Sequence, residues 1–387
     1  MTDRALDPLG LEDLVAPEDR EVARSVRTFC ERRVLPEIAA WYEEGHFPRH
    51  LVPELAELGL LGMQISGYGC AGAPPTAYGL ACRELEAADS ALRSFVSVQG
   101  SLAMFAIHRF GSEEQRERWL PAMARGEVIG CFALTEPDSG SDPGSMRTRA
   151  RREGQDWILT GSKMWITNGS IADVAVVWAR AEEGVLGFLV TRGTPGFQAV
   201  DIVRKLALRA SVTSTLTLDS VRLPDSSRLG AALGLSAPLA CLDEARLGIA
   251  FGALGAGRAC YEAALSHALH REQFGRPIAG FQLTQRKLVD MRLALDQAGL
   301  LALHLARLKE RGELGAAQIS MGKLASVRAA REIALSARSI LGAAGVTLDH
   351  PVIRHLNNLE AVFTYEGTDE VHTLSLGRHL TGLSAFR

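Results

Sequence analysis

Motifs that mark several common protein classes are missing from this sequence. Its six cysteines form no C-x-x-C pair and no metal-finger spacing, so reduced thiols are expected rather than a disulfide framework. The sequence also has no G-x-G-x-x-G, G-x-x-x-x-G-K-[ST], H-E-x-x-H or G-x-S-x-G segment. These absences remove the support for a dinucleotide-binding loop, a phosphate-binding loop, a zinc protease and a serine hydrolase.

An excess of charge of one sign is missing too. The 42 Lys and Arg residues nearly balance the 45 Asp and Glu residues, which leaves a formal charge of -3. This balance disfavours a nonspecific polyanion binder. The acidic N-terminus lacks the basic and apolar regions of a secretory leader, and we see no apolar run near the roughly 20 residues of a membrane span. We therefore expect a cytoplasmic protein with no nucleic-acid partner and no membrane insertion.

The composition and the order of patterns indicate a folded protein of more than one domain. Hydrophobic residues make up 47% and charged residues 22% of the 387 residues, which is ordinary for globular proteins. Helical spacing dominates the first third, including one long helix over about 77–110, and returns from residue 239. The sequence therefore predicts an α+β fold with an N-terminal helical domain (1–129), a middle β domain (130–238) and a C-terminal helical domain (239–387).

The middle region consists of short β-branched or aromatic runs separated by Gly, Pro, Asp or Ser. No helical pattern of ten or more residues lies between these runs. A sandwich or barrel is therefore favoured over a parallel sheet with crossover helices.

The histidines do not predict a metal site. His267 and His270 are three residues apart, and His350 and His355 are five apart, but no carboxylate or cysteine cluster accompanies either pair. We predict no metal ligand in this chain.

Two polar segments of the middle region have the chemistry to bind a ligand. Thr135–Asp142, TEPDSGSD, offers several hydroxyls on a flexible backbone after a probable strand, although alone it is only a turn. Trp165 and Thr167 share one face if their segment is a strand, which would place an aromatic plate beside a hydroxyl. For Trp165 taken alone, a place in the core is the preferred interpretation.

Two further segments lie in the C-terminal region. Arg271–Gly275, REQFG, ends a long helix with a guanidinium and an aromatic ring, but the arginine could simply cap the helix. In Tyr365–Thr368, YEGT, the carboxylate of Glu366 follows the apolar Val362 and Phe363, which could shield it and raise its pKa toward that of a working base. A lone Glu before Gly is more often an ordinary loop residue.

Taken together and in order, the segments TEPDSGSD, WITN, KLALRAS, REQFG, LGAAG and TYEGT resemble the acyl-CoA dehydrogenase family over essentially the whole chain. This resemblance implies a homotetramer with an N-terminal helical domain, a middle β domain and a C-terminal four-helix domain, and one FAD in each subunit. It also implies an acyl-CoA substrate and an electron-transferring flavoprotein as partner.

The resemblance assigns cofactor contacts by position. The residues implied to bind FAD are Phe132, Leu134, Thr135, Ser141, Trp165, Ile166, Thr167, Arg271, Phe274, Gln282, Gly342, Thr368 and Phe386. Ala343 stands where the family more often has a second glycine, which reduces the conformational freedom of that loop. Substrate contacts are implied for Ser141, Leu239, Arg246 and Gly367, and Glu366 matches the catalytic base.

Within the family, the stretch from Arg93 to Gln99 and the ending IRHLNNLEAVFTYEGTDEVH are similar to the glutaryl-CoA dehydrogenase branch. A dicarboxylic thioester carries a distal carboxylate that is costly to bury unpaired. Arg93 would bind that carboxylate together with Ser94, and Glu86 would hold the arginine. Ser94 and Ser97 lie within one helical turn of Arg93. Without the resemblance, Glu86 and Arg93 would be interpreted as a solvated pair on a surface helix.

For this branch the implied reaction is oxidative decarboxylation. Glu366 takes the α-proton, hydride leaves the β-carbon for the flavin, and loss of CO2 gives crotonyl-CoA. The Glu366 backbone N–H and a ribityl hydroxyl of FAD would stabilise the thioester oxygen. Electrons would then pass to the electron-transferring flavoprotein, in a pathway of amino-acid breakdown.

Three alternatives remain at the level of sequence. A dehydrogenase of short-chain monoacyl-CoA would not use Arg93, and a nondecarboxylating glutaryl-CoA dehydrogenase would keep the carboxylate. A nucleic-acid-binding member of this fold is disfavoured, because the basic run Arg147–Arg152 is short and Glu366 is present.

Overall fold

A computed structural model describes residues 7–386 of the chain. The first six residues of the acidic N-terminus and Arg387 lie outside the described residues. Helices come first, strands follow and helices return. This order confirms the predicted fold class, while the domain boundaries stay predictions.

The N-terminal region is built from short helices and contains the buried helical segment Ser90–Phe110. The helices are α1 (Pro17–Phe29), α2 (Ile38–Glu44), α3 (Val52–Glu57), α4 (Pro75–Ala88), α5 (Ser90–Ser97), α6 (Phe105–Phe110) and α7 (Glu113–Ala124). Two π-helical turns, Cys30–Val34 and Val98–Met104, continue α1 and α5. Strands β1 (Ser66–Gly67) and β2 (Cys70–Ala71) form a small antiparallel hairpin.

The predicted single helix over 77–110 is wrong at Asp89. The backbone of Asp89 is extended, with φ -165° and ψ 142°, and its carboxylate caps α5 by accepting from the Ala91 N–H at 2.7 Å. The same carboxylate binds Arg354 and accepts from Asn358 Nδ2 at 2.9 Å, both on a distant helix. These contacts outweigh the helical propensity of the flanking residues.

The expectation that no segment has the length and apolarity of a membrane span is also wrong. Ser90–Phe110 is 21 residues long, and its most apolar window has a mean hydropathy of 1.2 and is 94% buried inside the structure. This segment packs against β3 (Gly130–Ala133) and a long C-terminal helix. Its apolarity is therefore that of a core helix.

The middle region forms one mixed sheet. Its strands are β3, β4 (Arg149–Glu153), β5 (Asp156–Thr167), β6 (Val174–Ala181), β7 (Gly184–Thr191), β8 (Phe197–Asp201) and β9 (Thr213–Pro224). The order is β3-β6-β4-β5-β9-β8, and β7 pairs with β6. β3 runs parallel to β6, yet β4 and β5 lie between them in sequence instead of a crossover helix. The prediction against a sheet with crossover helices is confirmed.

The C-terminal region packs long helices around an apolar core. They are α8 (Ser236–His270), α9 (Gln282–Glu310), α10 (Ala316–Leu341), α11 (Val352–Thr364) and α12 (Asp369–Thr381). A hairpin of β10 (Glu272–Gln273) and β11 (Arg276–Pro277) joins α8 to α9. Short 3-10 turns complete the chain at Leu11–Leu14, Arg49–Leu51, Pro143–Ser145, Asp225–Ser227, Ile278–Gly280 and Gly342–Val346.

Candidate active site

The loop between α11 and α12 carries Glu366 in an uncommon backbone conformation. Glu366 has φ +52° and Gly367 has φ +98°. Non-glycine residues seldom adopt positive φ, and such strain clusters at functional sites. A Cβ atom at Gly367 would lie 2.6 Å from Nε2 of His372, so only glycine fits there. Thr368 then caps α12, since its hydroxyl oxygen accepts a backbone N–H at 3.2 Å.

One carboxylate oxygen of Glu366 is shielded from water, although the residue as a whole is half-buried. Its Oε2 atom is buried and has no hydrogen-bond partner among residues 7–386. Burial raises the pKa of Glu366, and the positive charges of Arg93, Lys323 and Arg246 oppose this rise. The direction predicted for this pKa is confirmed, and an unpartnered, shielded carboxylate oxygen is suited to accept a proton from a substrate.

Arg93 and Glu86 form a buried pair next to this loop. Arg93 is 1% exposed, and its Nε donates to Glu86 Oε2 at 2.6 Å. Ser90 Oγ donates to the other Glu86 oxygen at 2.9 Å. Nη2 of Arg93 donates to the Tyr365 hydroxyl, and the guanidinium lies 5.5 Å from the centre of the Tyr365 ring. The interpretation as a solvated surface pair is therefore wrong.

Two serines lie on the helix of Arg93. Ser94, the predicted partner for a substrate carboxylate, is 3% exposed. Ser97 lies one turn beyond Arg93, and its hydroxyl oxygen is buried without a hydrogen-bond partner among residues 7–386. A buried unpaired hydroxyl is costly unless a ligand completes it. Ser97, which the sequence places within one turn of Arg93, is therefore a further candidate contact.

Two glycines of α8 make room for these groups. A Cβ atom at Gly252 would lie 2.1 Å from Glu86 Oε2 and 3.2 Å from Arg93 Nε. One turn earlier, a Cβ atom at Gly248 would lie 2.6 Å from the Tyr78 hydroxyl. The sequence analysis missed these residues, and their G-x-x-x-G spacing on a helix is the signal that could have found them.

Three side chains from three helices contact the backbone of the Glu366 loop. Lys323 of α10 donates to the carbonyls of Tyr365 and, at 2.6 Å, Gly367. The Glu366 carbonyl lies 3.0 Å from Arg246 Nε on α8 and 3.2 Å from His372 Nε2 on α12. The sequence analysis missed Lys323 and His372, because no local motif marks them.

The predicted substrate contacts on α8 lie at its beginning. Leu239 is half-buried in the first turn of α8. Arg246 contacts Asp243 Oδ1 at 2.5 Å as well as the Glu366 carbonyl. Arg246 thus links the first turns of α8 to the base loop.

The segment from Phe132 to Ser141 begins in β3, continues beyond it and is held by a buried ion pair. Lys163 Nζ donates to Glu136 Oε1 at 2.9 Å and to the Leu134 carbonyl at 3.0 Å. The backbone N–H of Met164 donates to the Thr135 carbonyl at 2.9 Å. Phe132 and Leu134 are buried, Thr135 is half-buried and Ser141 is exposed. The structure thus brings Leu134 and Thr135 next to the end of β5.

The end of β5 presents Trp165 outward. Trp165 has φ +63° and is 55% exposed, so a place in the core is the wrong interpretation. The β5 to β9 pairing is irregular between Lys163 and Ile166, which leaves Trp165 without a strand partner. Ile166 is buried and Thr167 is half-buried. An exposed ring held by an interrupted strand gives a flat surface for a planar ligand.

The remaining predicted cofactor residues lie on exposed surface. Phe274 is 95% exposed with φ +54°, and its ring packs edge-on against Phe281 at 6.1 Å. Arg271 lines a pocket of about 400 Å³ with His267, His270 and His350. Gln282, Gly342 and Phe386 are also exposed. The structure does not bring this set into contact with Glu366.

Histidines do come together, but without metal-binding geometry. The rings of His267 and His350 lie 6.1 Å apart, whereas His355 is buried and contacts the Ala87 carbonyl at 3.2 Å. Within the described part of the chain, no group of three or more His, Cys, Asp or Glu residues could hold a metal ion. All six cysteines are free thiols.

FAD suits the chemistry of these residues. Its ring system needs an aromatic or apolar surface next to polar donors, and the exposed Trp165 ring lies beside the hydroxyl-rich segment that follows β3. Its diphosphate needs a cation, which Arg271 offers. The residues that would hold FAD are therefore present in separate surface regions.

All three regions of the chain match models of one protein family. The chain matches the family models of the acyl-CoA dehydrogenase N-terminal domain over residues 16–127, middle domain over 131–221 and C-terminal domain over 233–381. It is 37% identical to the mitochondrial short-chain specific acyl-CoA dehydrogenase of Bos taurus over 375 residues, which is 94% of this chain and 90% of that protein.

Two solved structures from Mycobacterium smegmatis are very similar to this chain. A glutaryl-CoA dehydrogenase has 63% identity, a TM-score of 0.98, and coverage of 98% of this chain and 99% of that one. A glutaryl-CoA dehydrogenase in complex with FADH2 has 55% identity, a TM-score of 0.98 and coverage of 99% of both chains. The predicted cofactor, FAD, is thereby confirmed. From its sequence, its fold and these relatives, the chain belongs to the acyl-CoA dehydrogenase family of FAD-dependent enzymes.

Proposed function

We propose that this enzyme oxidises glutaryl-CoA and converts it to crotonyl-CoA and CO2. The observation that carries the proposal is the buried guanidinium of Arg93, which contacts Tyr365, the residue just before Glu366. A saturated monoacyl chain offers no charge to such a cation, whereas the distal carboxylate of a dicarboxylic thioester would pair with it. The names of the two M. smegmatis neighbours support the same substrate.

In this proposal the Glu366 loop supplies the base, and α5 supplies the contacts to the distal carboxylate. Ionised Glu366 takes the α-proton, and its raised pKa makes it a stronger base than an exposed carboxylate. FAD, when bound, accepts the hydride that leaves the β-carbon. Arg93 holds the distal carboxylate, and Ser97 or Ser94 donates a hydroxyl to it. Because Arg93 contacts Tyr365, the carboxylate site and the base are held at a fixed separation.

The proposed decarboxylation balances without a further reactant. The bond between the γ-carbon and the distal carboxylate breaks, CO2 leaves, and the electron pair enters the conjugated thioester as a dienolate. Protonated Glu366 returns its proton to the terminal carbon, which gives crotonyl-CoA. The Glu366 backbone N–H stabilises the thioester oxygen, a kind of contact worth roughly 3 kcal/mol.

Replacement of Arg93 tests the assignment of substrate. In R93M the cation is lost while an apolar chain of similar length remains. We expect the rate of flavin bleaching by glutaryl-CoA under anaerobic conditions to fall at least 100-fold more than the rate with butyryl-CoA. Both rates fall in part, because the loss of the Arg93 charge also raises the pKa of Glu366. R27M, which removes a different arginine of the helical domain, should leave the ratio of the two rates unchanged. Equal losses on both substrates in R93M would contradict the proposal.

The second candidate is a dehydrogenase of short-chain monoacyl-CoA, which the similarity to the Bos taurus enzyme favours. In that case butyryl-CoA should bleach the flavin faster than glutaryl-CoA. A third outcome, glutaconyl-CoA as product of glutaryl-CoA, would retain the substrate and remove the decarboxylation. Mass analysis of the released thioester distinguishes all three.

The proposal extends to assembly, location and electron acceptor. One face of α9 exposes Val289, Leu293 and Leu300, which suits packing against further copies of the chain in a homotetramer. Light scattering of the FAD-loaded enzyme tests this assembly. An electron-transferring flavoprotein is the proposed acceptor, and the proposed location is cytoplasmic. Reduction of the purified flavoprotein and cell fractionation test these two points.

A further inference from the structure

The three consecutive carbonyl groups of the base loop are all bound by buried side chains. Lys323 binds the carbonyls of Tyr365 and Gly367, so its ammonium spans the residue between them. Arg246 and His372 bind the carbonyl of that residue, Glu366. Two successive positive φ values are an unfavourable backbone conformation for this loop. Hydrogen bonds to its carbonyl oxygens stabilise this conformation.

Lys323 is the central contact of this arrangement. It is 2% exposed on α10, and its ammonium lies 5.6 Å from the centre of the Tyr365 ring. No carboxylate forms an ion pair with it within 4.0 Å among residues 7–386. A buried ammonium without a paired carboxylate is expensive, so a purely structural role would be met more cheaply by a neutral donor.

His372 complements Lys323 and its tautomer can be deduced. A carbonyl oxygen only accepts, so the proton on His372 must lie on Nε2, which faces the Glu366 carbonyl at 3.2 Å. Nδ1 then accepts from the Ser320 hydroxyl at 3.0 Å. Burial lowers the pKa of His372 to about 3, which keeps this ring neutral. The loop is thus held at Glu366 by the neutral imidazole of His372 together with Arg246, and at Tyr365 and Gly367 by the single ammonium of Lys323.

We propose that Lys323 is a positioning residue for the reaction: its ammonium fixes the loop at Tyr365 and Gly367 and keeps the Glu366 carboxylate ionised when substrate is bound. This inference rests on the proposed role of Glu366 as base. A neutral donor on α10 would be enough to bind the two carbonyls, so this inference gives the charge of Lys323 a function of its own.

The charges around the two groups define what pH should do. Glu366 faces Arg93 on α5, Arg246 on α8 and Lys323 on α10. Lys323 faces Glu366, Arg246, Arg93 and Asp369, and burial lowers its pKa to about 7. Without the charge of Lys323, fewer positive charges oppose the effect of burial on Glu366, so the pKa of Glu366 rises further. The acid limb of proton abstraction should then move to higher pH, by about one unit or more.

The test uses the FAD-loaded enzyme and 3-thiaglutaryl-CoA, in which sulfur replaces the β-carbon. This thioester can lose its α-proton but has no β-hydrogen to give as hydride. Exchange of the α-proton for deuterium, followed by mass, therefore reports on the base without flavin reduction. We expect K323M to exchange at least tenfold more slowly than wild type at pH 6 and to approach wild type at pH 9. K323R should restore the wild-type pH profile in large part.

R328M is the matched control. Arg328 also lies on α10 and binds Asp369 at 2.7 Å beside the loop, but it contacts none of the three carbonyls. R328M should keep the wild-type pH profile even if it unfolds at lower temperature. An unshifted acid limb in a folded, flavin-loaded K323M would overturn the inference. Failure of wild type to exchange the α-proton or to bleach with any acyl-CoA would instead refute the proposed function.

Discussion

Two glycines of α8 allow a sharp test of how the carboxylate site is built. Alanine at Gly252 would place a methyl group 2.1 Å from Glu86 Oε2 and 3.2 Å from Arg93 Nε. Alanine at Gly257, five residues along the same helix, would meet its nearest atoms at 3.5 Å, an ordinary contact. Both changes raise the helix propensity of α8 by about 1 kcal/mol. The pair therefore separates crowding at the ion pair from the general effect of the substitution.

The magnitude follows from how firmly Glu86 is held. Carbon and oxygen approach no closer than about 3.2 Å without strain, so Oε2 must move by roughly 1 Å. Glu86 is fully buried and bound by Arg93 at 2.6 Å and Ser90 at 2.9 Å, so it has no solvent to move into. Overpacking costs about 1–3 kcal/mol, which offsets or exceeds the helical gain. We expect G252A to be up to about 2 kcal/mol less stable than wild type, and G257A to be up to about 1 kcal/mol more stable.

The displacement of the Arg93 guanidinium should also lower activity with glutaryl-CoA. In G252A the rate of flavin bleaching by glutaryl-CoA should fall about 10- to 100-fold relative to the rate with butyryl-CoA, which corresponds to about 1.4–2.7 kcal/mol. Urea unfolding and anaerobic stopped-flow measurements on both variants check the two parts separately. An unchanged ratio of substrates in G252A, with G257A as reference, would refute the view that this glycine sets the position of Arg93.

Three more predictions concern single groups. D89N removes the charge that Arg354 pairs with in the interior, so urea unfolding should show a loss of about 3–5 kcal/mol, whereas D290N at an exposed pair should change nothing measurable. E366Q should keep its bound flavin but abolish bleaching by substrate and α-proton exchange, and normal exchange would move the base elsewhere. The folded-state pKa of His372 is about 3 against an ordinary 6.5, so its contribution to stability is complete above pH 6.5 and is lost as the pH falls toward 3. Between pH 6.5 and 4.5 this loss is about 2–3 kcal/mol, and H372Q should show a correspondingly flatter dependence of unfolding free energy on pH.

The features that the sequence predicted well are those set by local patterns of residues. The order of helices and strands follows from hydrophobic period, and α8 begins at Ser236, close to residue 239, where the helical spacing returns. Each of these properties is decided by residues close together in the chain.

What the sequence failed to predict depends on distant contacts. Asp89 breaks a helix because Arg354, more than 260 residues later, fixes its carboxylate. Lys323 reaches the Glu366 loop across the bundle, and no spacing in the sequence announces that meeting. Trp165 is exposed because a strand pairing is interrupted, which composition does not show. Residue roles at the cofactor and substrate sites rest on the family resemblance and stay predictions.

The apolar segment Ser90–Phe110 has a consequence for the nascent chain. The helix that covers it, α8, begins at Ser236, so well over a hundred further residues must be synthesised before the cover exists. At about 5–20 residues per second, ribosomes need roughly 6–25 s for that stretch. Throughout this interval the face of the segment that packs on α8 has no cover, whereas β3 follows the segment closely in the chain. A chain that ends before Ser236 would therefore leave this face of the segment uncovered.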